Sequence, residues 1–351
     1  MIPERWQVLA RAPPRAWGPA VASGRVRAVP EDFVVEEALG FAPAGAGAHV
    51  LLSVRKRDAN TEWVARALAR EARCRASDVG YAGLKDRRAL ATQWFSVPAS
   101  RRAAEGWRGL SGEGFEVLDA CAHTRKLPRG AHAGNRFSIR ITGLTGDPAE
   151  VGARLDRIRT AGVPNYFGPQ RFGRDLGNLA VLAGTAPGPP GARSRPSFTL
   201  SAARSLVFNA ILAERVQTGT WGQLCAGDWA VLDGRGSIFA VTAGDAELGE
   251  RSARLEVHPT GALWGRGLPP TTECVHALEC RVAGELPEAC QLVEAAGMAQ
   301  ERRSLRVAAR DLTWHFGPQT LQLDFRLARG AFATSVLAEL LDGDTVRAGE
   351  V

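Results

Sequence analysis

A lone acid set among three cations, Lys85-Asp86-Arg87-Arg88, is the part of this 351-residue chain whose residue types suit chemistry. Opposite charges nearby favour the ionised form of a carboxylate. An anionic nucleophile or base working beside a polyanionic substrate needs that arrangement. The same run also fits a solvated turn with a local ion pair, as most surface charge runs do. No second carboxylate in a comparable setting offers the pair that a glycoside-acting enzyme requires.

The acid must be held by what flanks it. Val79, Tyr81 and Leu84 are apolar enough to bury, Gly80 and Gly83 permit close backbone approach, and Thr92–Val97 has strand composition. Upstream, Asn60 is expected to cap a helix running to about Cys74. Glu62 lies in its positive first turn, and Val64, Ala67, Leu68 and Glu71 follow helical spacing. That helix leads into the acid-bearing loop and braces it from behind. His49–Val54 reads as a strand in which Val50, Leu52 and Val54 alternate with Leu51 and Ser53. Residues 22–37 read as a basic strand, a break at Pro30, and a second strand through Phe33 and Val35.

Asn135–Thr142 alternates most clearly, with Phe137, Ile139 and Ile141 against Arg136, Ser138, Arg140 and Thr142. One face is core and the other is cationic, a pattern able to track phosphates. Asp147-Pro148-Ala149-Glu150 opens a helix with a cap and a first-turn proline, and Gly162 ends it. Gly162–Gly173 is too irregular for a helix and reads as a shaped loop, and also as a domain hinge. A Pro/Gly loop at 184–198, a helix from Ser201 to about Val216, a hairpin at Trp229–Val241 and helices near Ala246–Leu255 and Pro287–Ala299 follow. A strand at Leu321–Leu327 and a helix at Phe332–Leu341 close the chain and are expected to complete the first domain's sheet.

Composition narrows the class. The chain is 45% hydrophobic and 23% charged, which is globular, and its length suits two domains better than one. A formal net charge of +7 points to a polyanionic partner. The N-terminus lacks the apolar core of a secretory signal, and no window approaches the length of a spanning helix. Six cysteines in a chain this long suit a reducing cytoplasm. Cys274, His276, Cys280 and Cys290 lack a close C-x-x-C pair, so no metal site is expected.

The acid-bearing stretch GYAGLKDRRALATQWFS, with PEDFVVEE (Pro30–Glu37), GNRFS (Gly134–Ser138), GVPNYFGPQRFG (Gly162–Gly173), LSAARSLVFNAILAERV (Leu200–Val216) and GAFATSVLAELL (Gly330–Leu341), resembles the TruD family of tRNA pseudouridine synthases. The blocks fall in the family's order over about residues 22–341. The resemblance implies an α+β fold, a pseudouridine-synthase catalytic core around a bent mixed β-sheet, with an inserted α/β domain. It assigns 1–160 and 305–351 to the catalytic domain and 161–304 to the inserted TRUD domain.

It implies isomerisation of uridine-13 of transfer RNA, with no metal or other cofactor, by a cytoplasmic monomer with no protein partner. The family's essential aspartate falls on Asp86, acting at C1′ as a nucleophile or at C2′ as a base. The implied substrate pocket comprises Phe33, Asn135 and Phe332, with Phe137 stacking and Arg27 standing where lysine is also found. Lys85, Arg87 and Arg88 become candidates for holding the RNA backbone and for keeping the acid ionised. Ala-Arg-Gly-Ala at 328–331 departs from the more usual Pro-Ala-Gly-Ser and leaves that loop less rigid. A non-catalytic RNA-binding or RNA-folding protein of the same fold is the alternative, which loss of the acid would have favoured.

Overall fold

The computed structural model describes residues 1–99, 103–186, 197–242 and 244–342. In chain order these form helix α1 (Glu4–Arg11), strands β1 (Ser23–Val26), β2 (Phe33–Leu39) and β3 (His49–Arg57), and helix α2 (Thr61–Ala72). Strands β4 (Gly80–Tyr81), β5 (Leu90–Pro98), β6 (Ser111–Gly112), β7 (Phe115–His123) and β8 (His132–Thr145) follow. Next come α3 (Pro148–Ala161), β9 (Val163–Pro164), α4 (Gly177–Leu182), α5 (Ser197–Gln217), β10 (Trp229–Leu232), β11 (Ile238–Ala240) and α6 (Ala246–Ala253). The chain continues through β12 (Val257–Leu263), α7 (Glu273–Gly284), α8 (Pro287–Ala295), β13 (Glu301–Ser304), β14 (Arg306–Val307), β15 (Arg310–Gly317), β16 (Thr320–Ala328) and α9 (Ala333–Ala338). The protein is mixed α+β and divides into two compact units.

The sheet unit, Ala22–Pro148 with Arg310–Gly330, is built on ten strands. Their order is β15-β16-β8-β2-β5-β3-β7-β6, with β1 also on β8 and β4 also on β5. Every pairing is antiparallel except β2 with β5, so the sheet is mixed. Bridge partners share a face, and register therefore decides which side chains meet. One row runs Lys56–Ala91–Val35–Phe137–Phe325. The neighbouring row runs Glu37–Asn135–Leu327. Helix α2 buries Val64 and Leu68 against Val50, Leu52 and Val54 of β3 and Phe95 of β5. Leu68→Ala would cost about 2–5 kcal/mol there. Gly134 is glycine because a Cβ would strike the Leu327 carbonyl, and Gly80 because it would meet the Leu127 carbonyl at 2.5 Å. Gly83 is under no such demand, since its nearest neighbour would be His132 at 3.8 Å.

The second unit comprises Met1–Val21, Ala149–Ala309 and the chain from Ala331 to the last described residue. Its centre is α5, buried on all sides from Ala202 to Ala213 and surrounded by α1, α4, α7 and α8. Such all-round burial is the mark of an interior helix. A four-stranded antiparallel sheet, β11-β10-β12-β13, and the pair β9–β14 complete it.

The two units divide at 21/22, 148/149, 309/310 and 330/331. Helix α3, residues 1–21 and the chain from Ala331 to Asp342 pack with the middle of the chain, and Arg154 is the physical reason. Its guanidinium donates to the carbonyls of Pro19 at 3.0 Å and Glu339 at 2.6 Å, while the Glu339 carboxylate accepts the N–H groups of Ala16 and Trp17. The expected insert, 161–304, lies wholly inside this unit. Strand β16 does join the large sheet, on β8, whereas α9 belongs to the second unit.

Several element boundaries also differ from expectation. Asn60 occupies the N-cap of α2 without a side-chain capping bond. Helix α5 begins at Ser197, four residues before the expected cap at Ser201, which lies inside it. Residues 187–196 of the expected Pro/Gly loop lie outside the described residues. Helices α1 and α7 and strands β12 and β15 were not anticipated from the pattern.

Candidate active site

The loop between β4 and β5 that carries Asp86 is fastened from below by buried polar side chains. Thr61, the first residue of α2, accepts the Lys85 N–H at 3.1 Å and donates to Gln93 Oε1 at 3.0 Å. Gln93, fully buried on β5, turns its amide N–H to the Gly83 carbonyl. Lys56, fully buried on β3, donates to the carbonyls of Asp86 at 2.6 Å, Ala59 at 2.8 Å and Lys85 at 3.4 Å. Burial pushes the Lys56 ammonium down to about 8, with Asp86 and Asp58 opposing that shift and Lys85 adding to it.

The cation on the Asp86 carboxylate comes from elsewhere in the unit. Arg27 Nη2 donates to Asp86 Oδ2 at 2.9 Å. The Arg27 side chain is 4% exposed and that of Asp86 is 42% exposed, so the guanidinium is sunk while the acid faces out. Arg27 follows β1 with φ of 60°, a left-handed backbone that costs a non-glycine residue about 1–2 kcal/mol. That turn lays its guanidinium 3.8 Å from the centroid of the Phe33 ring, a cation–π contact. Phe33 is itself buried, edge-on to Phe137 at 6.0 Å.

The flanking cations are arranged differently from the expectation that they hold the acid. Lys85 is turned inward, and its ammonium pairs with the buried carboxylate of Glu37. The second Glu37 oxygen accepts the Trp94 N–H at 3.2 Å. Paired in this way, the sunk Lys85 ammonium presents little exposed charge. Arg87 lies 3.5 Å from Asp58, and Arg88 is exposed.

Asn135 sits one row from Phe137, opposite Glu37, and its Oδ1 is buried without a hydrogen-bond donor. Phe137 is buried and stacked on Phe325 at 5.4 Å, so its ring is part of the sheet's aromatic core. On the cationic face expected of β8, Arg136 is exposed, whereas Arg140 is bound to the buried carboxylate of Asp32 at 2.7 Å.

Phe332 belongs to the second unit. It is the N-cap residue of α9, not its first turn, and is 45% exposed. In the same unit the 162–173 stretch is shaped by side chains from other segments. Asn209 on α5 exchanges hydrogen bonds with the Phe167 backbone, both at 2.9 Å. The guanidiniums of Arg303 and Arg171 lie 4.1 and 4.8 Å from the Phe167 ring centroid. Burial pushes Arg303 down to about 9, and it is held by the Asn165 side-chain oxygen at 2.7 Å.

Lys56, Thr61, Gln93 and Glu37 went unnoticed in the sequence. For Lys56 a signal existed. Val50, Leu52 and Val54 alternate inward, and carrying that phase two residues further puts Lys56 inside, between Arg55 and Arg57 outside. Among the described residues no three His, Cys, Asp or Glu side chains converge on a metal-sized site, and no helix is long and apolar enough to cross a membrane. Cys280 Sγ lies 3.4 Å from His276 Nε2, while Cys290 points to the Ala283 carbonyl.

A half-exposed carboxylate held by a sunk guanidinium on a strapped loop can attack or deprotonate a substrate. Comparison with known proteins identifies the family. The family model for tRNA pseudouridine synthase D matches residues 16–183 and 196–340. A tRNA pseudouridine synthase D from Nitrosococcus oceani is 46% identical over 328 residues, covering 92% of this chain and 92% of the relative. One from Pseudomonas aeruginosa is 45% identical over 333 residues, covering 94% and 93%. A crystal structure of a candidate tRNA pseudouridine synthase D from Methanosarcina mazei shares the fold. Its TM-score is 0.73 at 20% identity, over 98% of this chain and 99% of that one. The chain belongs to the TruD family, tRNA pseudouridine synthase D.

Proposed function

We propose that this chain isomerises uridine-13 of transfer RNA to pseudouridine, with Asp86 as the reacting group. The observation that carries this reading is the Asp86 carboxylate itself, half-exposed, with Oδ2 on Arg27 and Oδ1 without a donor among the described residues. The reaction breaks the N1–C1′ bond, turns the uracil and joins C5 to C1′. A proton leaves C5 and N1 gains one, so substrate and product are isomers. Asp86 acts by attacking C1′ or by taking the C2′ proton. Both routes need an outward carboxylate oxygen at the sugar, and both regenerate Asp86.

The uridine must first leave its stack, at a cost of a few kcal/mol that pocket contacts offset. The orphaned Asn135 Oδ1 suits an N–H on the uracil edge. Exposed Phe332 and Arg88 are available to a base and to phosphate respectively. In this reading 1–160 and 305–351 form a pseudouridine-synthase catalytic domain around a bent sheet, and 161–304 is the inserted domain. A cytoplasmic monomer, needing no metal or other cofactor, completes it.

The test is incubation of purified protein with unmodified transfer RNA, followed by mapping of pseudouridine. Product at position 13 is expected. A folded, RNA-binding sample that yields none there would overturn the reading.

A further inference from the structure

Lys56 stands apart from the other charged side chains around the loop. It is fully buried, yet no carboxylate oxygen lies within ion-pair distance among the described residues. Its stem lies on the same face as Val54 and Leu52, and only the ammonium reaches the loop. Burying a charge without a counter-ion is costly, and a methionine or leucine would fill that row of the sheet more cheaply. What the ammonium supplies is three N–H donors on one atom. Three carbonyls converge on it: Ala59 before α2, and Lys85 and Asp86 in the loop. The shortest of these bonds goes to Asp86, the residue whose carboxylate the function depends on.

We propose that Lys56 is a positioning residue for the reaction: its ammonium fixes the Asp86 main chain so that the carboxylate meets the sugar, and loss of its proton releases that hold. The inference rests on the reading of Asp86 as the reacting group. A neutral amine has two donors and a lone pair, so one of the three carbonyls is left facing a lone pair. The charged groups facing Lys56 are Asp86 and Lys85 from the loop and Asp58 from the turn after β3, with Arg87 bound to Asp58. Arg27 and Glu37 act on the same loop but through Asp86 Oδ2 and the Lys85 ammonium. The strap is therefore the contact on the Asp86 carbonyl that a change of pH in the mildly alkaline range can undo.

The experiment is the pH dependence of single-turnover pseudouridine formation by the full chain, for wild type, Lys56→Arg and Lys56→Met. Transfer RNA affinity and melting temperature are measured alongside. In wild type the rate constant is expected to fall about tenfold per pH unit above about pH 8, as for any required protonated group. Lys56→Arg keeps its proton throughout, so its slower rate should lose that alkaline fall. Lys56→Met should lose about 100-fold in rate at neutral pH with RNA affinity within about threefold, the pattern of a misplaced reacting group. A purely structural lysine would lower the melting temperature without moving the pH profile.

An alkaline fall that persists unchanged in Lys56→Arg overturns the inference, as does a Lys56→Met rate equal to wild type. If neither variant folds, wild type decides: a rate that stays level from about pH 7 to about pH 9.5 overturns it. Wild type that forms no pseudouridine at any pH overturns the proposed function, and this inference with it.

Discussion

In the sheet unit, Arg27 gives Asp86 one hydrogen bond, Nη2 to Oδ2 at 2.9 Å, and 42% of the acid's side chain remains exposed. In the other unit, Arg215 clamps both oxygens of Asp228, each at 3.0 Å, and none of that carboxylate is exposed. Asp228 Oδ2 accepts the Cys225 N–H as well, and Arg215 also bonds the carbonyls of Thr220 and Gln223. The second pair is closed: its lone pairs and donors are spent on the fold. In the first, the guanidinium is sunk while the acid is half-exposed and keeps one oxygen without a donor among the described residues. The residue types are identical, and the difference lies in whether the acid is buried along with its arginine. A carboxylate with both oxygens engaged is spent on structure, whereas one left half-engaged on a rigid mount is available for chemistry.

Exchanging each acid for its amide should separate these roles. Asp86→Asn is expected to lose at least about 1,000-fold in turnover, the scale for removing a reacting group. Its melting temperature and RNA affinity should stay close to wild type, since the carboxylate is half-exposed and not a phosphate contact. Asp228→Asn should do the reverse. Breaking a buried pair from one side costs about 3–5 kcal/mol, to be read by denaturant unfolding, with the folded fraction turning over normally. If Asp228→Asn slowed turnover of folded protein as much as Asp86→Asn, the distinction would fail.

Arg27→Met probes the mount. Loss of a preorganised donor beside the reacting carboxylate should cost about 100-fold in single-turnover rate. Arg27→Lys should recover part of that, because the charge returns without the planar stack on Phe33. Equal losses in both variants would assign the effect to the Phe33 contact and not to the charge. Phe332→Ala should have the smallest effect, about 1–3 kcal/mol of RNA affinity if its exposed ring stacks on a base. Because the ring is exposed, no change in melting temperature is expected, and a fall of several degrees would place Phe332 in the core instead.

The elements around the acid were legible because their patterns are strong. Alternation in β8 and β16, the spacing of Val64 and Leu68 in α2, and the breaks at Pro30 and Gly162 all appear where the residues indicate. The wiring of the charges was not legible. Adjacency in Lys85-Asp86-Arg87-Arg88 suggested that the flanking cations serve the acid, yet a loop directs successive side chains apart. Lys85 turns in to Glu37 and Arg87 turns out to Asp58, while the partner of Asp86 is 59 residues away. Only sheet register, a long-range property, brings β1 beside β8 and Arg27 over Phe33. Phe137 shows the same limit. Its inward phase was readable, but that Phe325 covers its ring depends on how β16 pairs after an interval of nearly two hundred residues.

Helices α1 and α7 escaped notice for a local reason. Helix α1 is short, with just Trp6, Leu9 and Ala10 buried, and α7 carries Glu279 turned inward. Glu279 accepts the Ala262 N–H and pairs with Arg302 at 2.8 Å, so a polar residue occupies a core position. A hydrophobicity pattern cannot register a buried charge whose partner lies on a separate element.

The central claim is that Asp86, half-engaged by Arg27, is the group that acts on the uridine. Its most direct test is single-turnover conversion of uridine-13 in an unmodified transfer RNA, with protein in excess and all RNA bound, comparing wild type with Asp86→Asn. Complete conversion by wild type and no pseudouridine from the equally RNA-bound Asp86→Asn are predicted. Conversion by Asp86→Asn within about tenfold of the wild-type rate, far short of the loss a missing reacting group produces, would contradict the claim.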